Sequence, residues 1–483
     1  MFKSNIYCTM LLCVMTFMAS CSESGLMEQP NEPIVNTRAV AQIELPKNPV
    51  YTLGAKTGGI YAAAPMQTVD ASVWQAATQM DVTVVAPQAI TLTGVSVQVN
   101  GCNVMFAEFR NADGENHVSL AKGEGISFTF PMMPATGEMT VRLHAAGTKT
   151  ISQSVSGTVE AGTVCTLRFD NFAVAAGNNW ITPLSDDTYL SQLSIPGTHD
   201  AGTGNGVSIS AAKTQDLTLQ QQWDMGIRVF DLRPGYKKVA KSLFKYVNEL
   251  HIYHGIVATK ISWDEAIDCL TANLKANPGE FAIIVMRFEN DSPLYNNANT
   301  WNSLMNSYLT NDLPAAHKVD FRPNLTVGDM RGKLLVLSRN AYASTPVTGA
   351  FVSGWNHGEN GSTGGSIYSN AGTATLQIQD YYDVDNESQK LAAITNFMEL
   401  ASANKAANVW TINHASGYTG LTNYKDNAAN NHRAVYRSII AGNGKAACTG
   451  MLMMDFVGKR KTGSYTVYGD LLPQAVIDNN YRR

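Results

Sequence analysis

Charged residues are scarce in this chain, and neither sign dominates. Only 15% of the 483 residues are Asp, Glu, Lys or Arg, and the formal net charge is −4. Broad binding to nucleic acid requires a basic surface, so this balance argues against a nucleic-acid partner. None of the seven cysteines lies in a CxxC pair, so a zinc cluster is not expected.

Long apolar runs are also missing after the first 20 residues, since no later stretch reaches the roughly 18–20 apolar residues that cross a bilayer. The first segment has Lys3, then an apolar run that ends in Ala19, Ser20 and Cys21. This pattern resembles a bacterial lipoprotein signal. We therefore predict a signal peptide over 1–20, lipidation of Cys21 and a polar tether over 21–45. The mature protein is expected in the cell envelope, anchored by lipid at the outer membrane or the extracellular surface.

The next region, 46–175, has the pattern of an all-β domain. Short alternating runs at 80–85, 95–99 and 139–143 are separated by Thr-, Gly- and Ser-rich turns. Short strands at regular spacing favour a β-sandwich. No cluster of acids, histidines or nucleophiles occurs there, so its role and ligand stay open, as does pairing of Cys102 with Cys165.

Beyond residue 177, apolar runs of strand length alternate with helical patterns. The helical patterns cover 263–276, 387–405 and 432–441. Near-continuous apolar strands alternating with helices indicate a parallel sheet buried on both faces. Eight strands predict a TIM-type (β/α)8 barrel over 177–483, in regular or distorted form; they are 193–196, 227–232, 250–253, 281–288, 334–338, 376–379, 409–413 and 451–456.

Chemically capable side chains follow the predicted strands, where such barrels carry their active sites. Paired histidines with carboxylates and arginines on one rim fit phosphoryl transfer, because arginines hold phosphate charge and histidines move protons. The residues at these strand ends are His199, Asp200, Asp231, Arg233, His254, Arg287, Glu289, Arg339, Asp380, Tyr382, His414 and Asp455.

Several motifs over 180–483 closely resemble the bacterial phosphatidylinositol-specific phospholipases C. They are SIPGTHD at 194–200, GIRVFDLR at 226–233, LHIYHG at 250–255, RGKLLVLSR at 331–339, LQIQDYY at 376–382 and MDFV at 454–457. The order and spacing of these motifs match the family, whereas the first domain lies outside the resemblance.

The resemblance implies a role for each matching residue. His199 would be the general base, oriented by Asp455, and His254 the general acid, assisted by Asp200. Arg233 would stabilise the phosphorane charge. The matching headgroup contacts are Arg339, Asp380 and Tyr382, while Arg287 stands where the family has a lysine, with its register open by one residue.

The implied reaction is metal-independent cleavage of phosphatidylinositol, or of an inositol-lipid anchor, to diacylglycerol and inositol 1,2-cyclic phosphate. It needs no cofactor, and it places a monomeric enzyme at a membrane surface. Two alternatives stay open: a calcium-dependent phospholipase C or glycerophosphodiesterase-like enzyme, and a non-catalytic surface binding lipoprotein. The sequence does not decide which inositol lipid is preferred.

Overall fold

The structure is a computed structural model that describes residues 48–66, 78–207, 209–243, 245–289, 298–340, 343, 345–420, 423–441 and 448–482. The predicted signal peptide, the lipidation site Cys21 and the tether 21–45 lie outside the described residues. Of the helices that are described, none combines the length and the apolar character needed to cross a membrane.

The N-terminal region is built from strands in one hydrogen-bonded sheet. The sheet order is β10-β3-β7-β2-β1-β5-β4-β8-β9, and β6 pairs with β4. The strands are β1 Val50–Thr57, β2 Ile60–Pro65, β3 Thr78–Val85, β4 Ile90–Val99, β5 Cys102–Arg110, β6 Val118–Leu120, β7 Gly125–Met132, β8 Ala135–Ala145, β9 Ile151–Val159 and β10 Val164–Phe169.

The alternating sequence pattern places one face of this sheet in a common core. Along β3, residues alternate between buried and half-buried, as expected for a strand with one face covered. Val82 of β3 joins Val95 of β4 and Val141 of β8 in a single cluster of buried side chains. The all-β character is therefore confirmed, whereas the division into two facing sheets stays a prediction.

The two cysteines of this region are not joined to each other. Cys165 is a free thiol on β10, and four strands separate β10 from β5, which begins at Cys102. The pairing that the sequence left open is therefore not formed.

The C-terminal region contains a closed barrel, which confirms the predicted TIM-type architecture. Eight of its nine strands run parallel, and β19 is antiparallel to both of its neighbours. In order around the barrel they are β11 Ser194–Thr198, β12 Val229–Leu232, β16 Ala282–Met286, β17 Leu334–Ser338, β18 Ala350–Ser353, β19 Ser362–Ser369, β20 Gly372–Gln379, β22 Val409–His414 and β24 Gly450–Met454.

One predicted barrel strand lies elsewhere. The run 250–253 belongs to β14 Lys245–His254, which pairs with β13 Pro234–Ser242 and β15 Val257–Ser262 in an antiparallel sheet outside the barrel. It resembles a barrel strand in sequence because Ile252 and Tyr253 are buried. The barrel is completed instead by β18 and β19, which the apolar pattern does not reveal.

Helices cover the outside of the barrel and pack on the outward-facing strand residues. The predicted helix 263–276 is confirmed, with a Ser262–Glu265 capping box and an end at Asn277. The α-helices are α1 Leu219–Asp224, α2 Trp263–Ala276, α3 Ala298–Ser307, α4 Val327–Met330, α5 Glu387–Ala403, α6 Tyr424–Ile440 and α7 Leu472–Asn479.

Several short elements complete the described chain. A π-helical turn over Tyr308–Asp312 follows α3. The 3-10 turns are Leu190–Gln192, Ala201–Asn205, Ser210–Ala212 and Ala315–His317, and the short strands are β21 Asp383–Val384, β23 Tyr418–Thr419, β25 Lys461–Thr462 and β26 Tyr465–Thr466.

The two regions share a buried interface at α7. Phe106 of β5 is fully buried in the same cluster as the barrel's interior residues. The carboxylate of Asp478 on α7 lies 3.0 Å from Nδ1 of His144 on β8. Near the chain end, Arg482 Nη2 lies 2.9 Å from Glu108 Oε2. These buried polar contacts are fully partnered, which fixes the β region firmly against the barrel.

Candidate active site

Strand alternation brings the predicted site residues to one end of the barrel. Successive strand residues point to opposite faces, so a residue two positions beyond an interior apolar side chain points into the barrel mouth. The interior residues Ile195, Val229, Val285, Leu337, Ile378 and Met453 form the barrel core. Each site residue lies an even number of positions after one of these interior residues, and so on the same face of its strand. The site residues are His199, Asp231, Arg233, Arg287, Arg339, Asp380 and Asp455.

His199 is held between two carboxylates. Its Nδ1 lies 2.9 Å from Oδ1 of Asp455, and its Nε2 lies 3.1 Å from Oδ2 of Asp200. Gln215 donates to the carbonyl oxygens of His199 and Met454, which fixes the backbone of both strand ends. Burial disfavours a charged imidazole, but Asp200 and Asp455 outweigh it and raise the pKa of His199 to about 9. This ring is therefore equipped to accept and hold a proton.

Arg233 lies at the centre of an acidic cluster. Its guanidinium donates to both oxygens of Asp231 and, over 2.8 Å, to Glu289, and its Nε lies 3.0 Å from Asp200 Oδ1. Burial opposes the charge on Arg233, yet the three carboxylates raise its pKa well above the usual range. Burial would likewise raise the pKa of Asp231, but Arg233 and His199 hold it well below the ordinary value. Both groups therefore stay charged across the physiological range.

Asp200 adopts a backbone conformation that is unusual for a residue with a side chain. Its φ and ψ are 44° and 50°, in the left-handed region, and its N–H donates to Asp231 over 3.2 Å. Such strain costs of order 1–3 kcal/mol and persists only where the surroundings impose it. Here it turns the carboxylate toward both histidines, since Oδ2 also lies 3.5 Å from Nε2 of His254.

His254 reaches the mouth from the antiparallel sheet, at the end of β14, and not from a barrel strand. Its Nδ1 lies 2.7 Å from the carbonyl oxygen of Ala212, so this nitrogen carries the proton and donates it. The ring centroids of His254 and His199 are 6.4 Å apart. A phosphate group can therefore contact one nitrogen of each ring.

Three of the predicted headgroup residues, Arg339, Asp380 and Tyr382, lie close together in the mouth. Trp355 links two of them, because its ring stacks under the Arg339 guanidinium at 3.8 Å and its Nε1 donates to Asp380 over 2.7 Å. His357 lies 3.1 Å from Asp380, and its ring packs edge-on against Tyr382 at 5.0 Å. Burial lowers the pKa of Arg339 to about 10, which still leaves it charged at neutral pH.

Arg287 lies at the same rim with an exposed side chain. Arg287 lies two residues after Val285, which points into the barrel, so both side chains lie on the same face of the strand. In this register the Arg287 side chain is on the side of the mouth. Its Nη1 lies 3.8 Å from Glu289 Oε1.

Four residues of the mouth were not predicted from the sequence as functional. Trp355 and His357 lie in the glycine-rich loop after β18. Tyr424 begins α6 and contacts His254, and Gln215 braces the strand ends. Only Trp355 and His357, two positions apart, carried a sequence signal, namely aromatic rings within a polar, glycine-rich loop.

One group in the described part of the chain has the donor set of a metal site. One atom each of His199, Asp200 and Asp231 lie within 4.8 Å of one another. The guanidinium of Arg233 lies 3.0 Å from Asp200 and 2.8 Å from Asp231. It therefore already supplies these two carboxylates with a positive charge.

Two histidines lie in this mouth, each close to a carboxylate, and a guanidinium lies beside them, paired with acidic side chains. Such a site is suited to acid–base cleavage of a phosphate ester. The comparisons with known proteins agree with this class. No family model matches the chain. The chain is 30% identical over 296 residues to the 1-phosphatidylinositol phosphodiesterase of Listeria monocytogenes serovar 1/2a, covering 58% of this chain and 81% of that protein. It is 26% identical over 314 residues to the enzyme of the same name from Staphylococcus aureus strain Newman, covering 62% of this chain and 94% of the relative.

The fold agrees with the same family. A solved mutant of the phosphatidylinositol-specific phospholipase C from Staphylococcus aureus superposes with a TM-score of 0.51 at 23% identity, covering 62% of this chain and 95% of that one. The chain therefore belongs to the family of bacterial phosphatidylinositol-specific phospholipases C.

Proposed function

We propose that this chain cleaves the phosphodiester bond of phosphatidylinositol-type lipids, releasing diacylglycerol and inositol 1,2-cyclic phosphate. The observation that carries the proposal is the pair of histidines in one mouth, each close to a carboxylate, with Arg233 paired to one of those carboxylates, Asp200. Family membership supports the same reaction, because the relatives are named for phosphatidylinositol cleavage.

In the proposed first step, His199 in its unprotonated form, a minor fraction at neutral pH because its pKa is raised, takes the proton of the inositol 2-hydroxyl through Nε2. The hydroxyl oxygen attacks phosphorus, and Asp455 stabilises the imidazolium that forms. His254 donates a proton from Nε2 to the departing glycerol oxygen, with Asp200 supporting its charged form. Water then opens the cyclic ester with the two histidines in exchanged roles.

We propose that the reaction needs no metal or other cofactor. The guanidinium of Arg233 lies within hydrogen-bonding distance of the carboxylates that would otherwise hold a cation, and it can stabilise the phosphorane charge itself. The calcium-dependent alternative rests on the cluster of His199, Asp200 and Asp231. Calcium prefers six to eight oxygen ligands, and a guanidinium between two of the acids opposes such a site.

Headgroup recognition is proposed to involve Arg339, Asp380, Tyr382 and Arg287. Their arrangement supports binding of a polyol ring, because the buried carboxylate can accept hydrogen bonds from hydroxyl groups, the guanidinium groups can donate hydrogen bonds, and the exposed face of Tyr382 can stack on the ring. Free phosphatidylinositol and an inositol-lipid anchor share this ring. A non-catalytic binding lipoprotein would need only these residues, and the complete acid–base set argues against it.

We propose that 46–175 forms a β-sandwich domain ahead of the 177–483 barrel, and that the enzyme acts as a monomer on a membrane surface. A lipid on Cys21 would tether it in the cell envelope or on the extracellular surface. Such an anchor would restrict the enzyme to lipid within reach of the tether.

The test is incubation of the purified full chain with phosphatidylinositol vesicles, followed by phosphorus NMR and diacylglycerol analysis. We expect cyclic inositol phosphate with wild type, in buffer or in EDTA, and none above background with His199→Ala. Loss in EDTA with recovery in calcium would favour the calcium-dependent alternative. Vesicle binding without any product would favour the non-catalytic one.

A further inference from the structure

The chemically active nitrogen of His254 has two neighbours. Because Nδ1 donates to the Ala212 carbonyl, only Nε2 can exchange a proton with a substrate. Asp200 Oδ2 lies 3.5 Å from Nε2, and the hydroxyl oxygen of Tyr424 lies closer, at 3.2 Å. The mechanism described above uses the carboxylate and leaves the hydroxyl without a role.

Tyr424 is held in place by the start of α6. Asn423 caps this helix by accepting from the N–H of Asp426, and the Tyr424 ring packs against the cluster around Phe456. The ring centroids of Tyr424 and His254 are 5.5 Å apart. The capped helix start and the packing of the ring therefore hold the Tyr424 side chain with its hydroxyl directed at Nε2.

The two neighbours of Nε2 differ in what they offer. A carboxylate only accepts hydrogen bonds, whereas a phenol hydroxyl can donate or accept. Burial raises the pKa of Tyr424, and the charges of Asp200 and Asp455 raise it further, so the hydroxyl keeps its proton throughout the working range. Tyr424 can therefore donate to a neutral imidazole, which Asp200 cannot do.

We propose that Tyr424 is a positioning residue for the acid histidine, donating its hydroxyl hydrogen to His254 Nε2 once that nitrogen has protonated the leaving oxygen. The proposal rests on the proposed function. In the first step the proton passes from Nε2 to the glycerol oxygen as the phosphorus–oxygen bond breaks, and the hydroxyl then turns to donate to the vacated lone pair. In the second step Nε2 takes a proton from water, and the hydroxyl turns back to accept from it.

The test is Tyr424→Phe in the full chain, which keeps the ring and removes the hydroxyl. One hydrogen bond of ordinary strength predicts a fall in kcat on phosphatidylinositol of roughly 3- to 10-fold. On an inositol nitrophenyl phosphate, whose leaving group needs little protonation, the fall should disappear. Asp200 remains beside protonated Nε2, whereas neutral Nε2 loses its hydrogen-bond donor, so one limb of the pH–rate profile should move to higher pH.

Tyr418→Phe is the matched control. Its ring lies 5.9 Å from that of Tyr424, and its hydroxyl interacts with Asp383. We expect both of its rates and its pH profile to match wild type. Equal losses of Tyr424→Phe on the two substrates, or an unmoved pH profile, would overturn the proposal while wild-type cleavage of phosphatidylinositol still upheld the function.

Discussion

Replacing Asp455 by Asn removes one negative charge beside His199, the proposed base, and keeps the size and shape of the side chain at position 455. Asp455 is fully buried, and its Oδ1 lies 2.9 Å from His199 Nδ1. Burial opposes the imidazolium, yet the neighbouring carboxylates raise the pKa of His199 from 6.5 to about 9. At about 1.4 kcal/mol per pKa unit, the net rise is worth about 3 kcal/mol, the balance of Asp200 and Asp455 against burial and Arg233.

The charge removal should affect both the pH profile and the rate. With one carboxylate gone, the limb of the profile that reports His199 should move to lower pH by roughly one unit. The maximal rate should fall by roughly 10²–10⁴-fold, because the imidazolium formed in the transition state loses its partner. The assay is the initial rate of diacylglycerol release across about pH 5 to 10. Asp470→Asn, which alters an acid paired with Arg460, is the control.

The pKa shift also predicts a stability difference. Because the pKa of His199 is higher in the folded state, binding of a proton to this ring stabilises the folded protein. This contribution to the free energy of unfolding is complete below about pH 6.5 and is lost as the pH rises through about 9. Wild type should therefore lose more of its thermal stability over this interval than Asp455→Asn. An Asp455→Asn limb that stays in place or moves to higher pH would refute the reasoning.

Two further predictions concern the headgroup site and the domain interface. Arg339→Ala should raise KM for phosphatidylinositol by roughly tenfold or more with a smaller change in kcat, because it removes a ground-state contact. The control is Arg322→Ala, which alters an exposed arginine. A change in kcat alone would contradict the assignment of Arg339 to headgroup binding. Phe106→Ala should destabilise the full chain by about 3–5 kcal/mol in chemical denaturation, because this buried ring belongs to the barrel's core cluster. Val104→Ala, at a half-exposed position on the same strand, should cost less than about 0.5 kcal/mol, and equal effects would mean that the interface contributes little.

Most of the barrel could be predicted because parallel strands are covered on both faces. Runs such as 281–288 and 451–456 are nearly all apolar, since one face lines the interior and the other packs on helices. The prediction that the side chains directly after such runs enter the mouth rests on this pattern. It works for His199 and Asp455 because each directly follows a regular strand, with no insertion to change the register.

The missed elements lack this double burial. β19 runs antiparallel, and Ile367 is its only large apolar side chain in the core, so no continuous apolar run marks it. The run 250–253 misleads for the opposite reason, because an antiparallel strand packed on the barrel acquires a buried segment. Counting apolar runs therefore gave eight strands of which one was misplaced, although His254 still reaches the mouth.

The missed site residues depend on long-range contacts. Tyr424 is one tyrosine among 19, and only the packing of α6 beside β14 brings it to His254. Trp355 and His357 enter the headgroup side through a loop whose conformation is set by Asn356, which bonds Gly358 and Gly361. No spacing in the sequence encodes these approaches.

In the proposed mechanism His199 acts as the base and His254 as the acid. The most direct test of these roles compares the cleavage rates of His199→Ala and His254→Ala on two substrates. On phosphatidylinositol, both variants should lose roughly 10²–10⁴-fold in rate. On an inositol nitrophenyl phosphate, His254→Ala should recover much of its rate, because the phenolate departs with little protonation, while His199→Ala should stay slow. Equal losses on both substrates would leave the two roles without support, and recovery of His199→Ala alone would show that they are reversed.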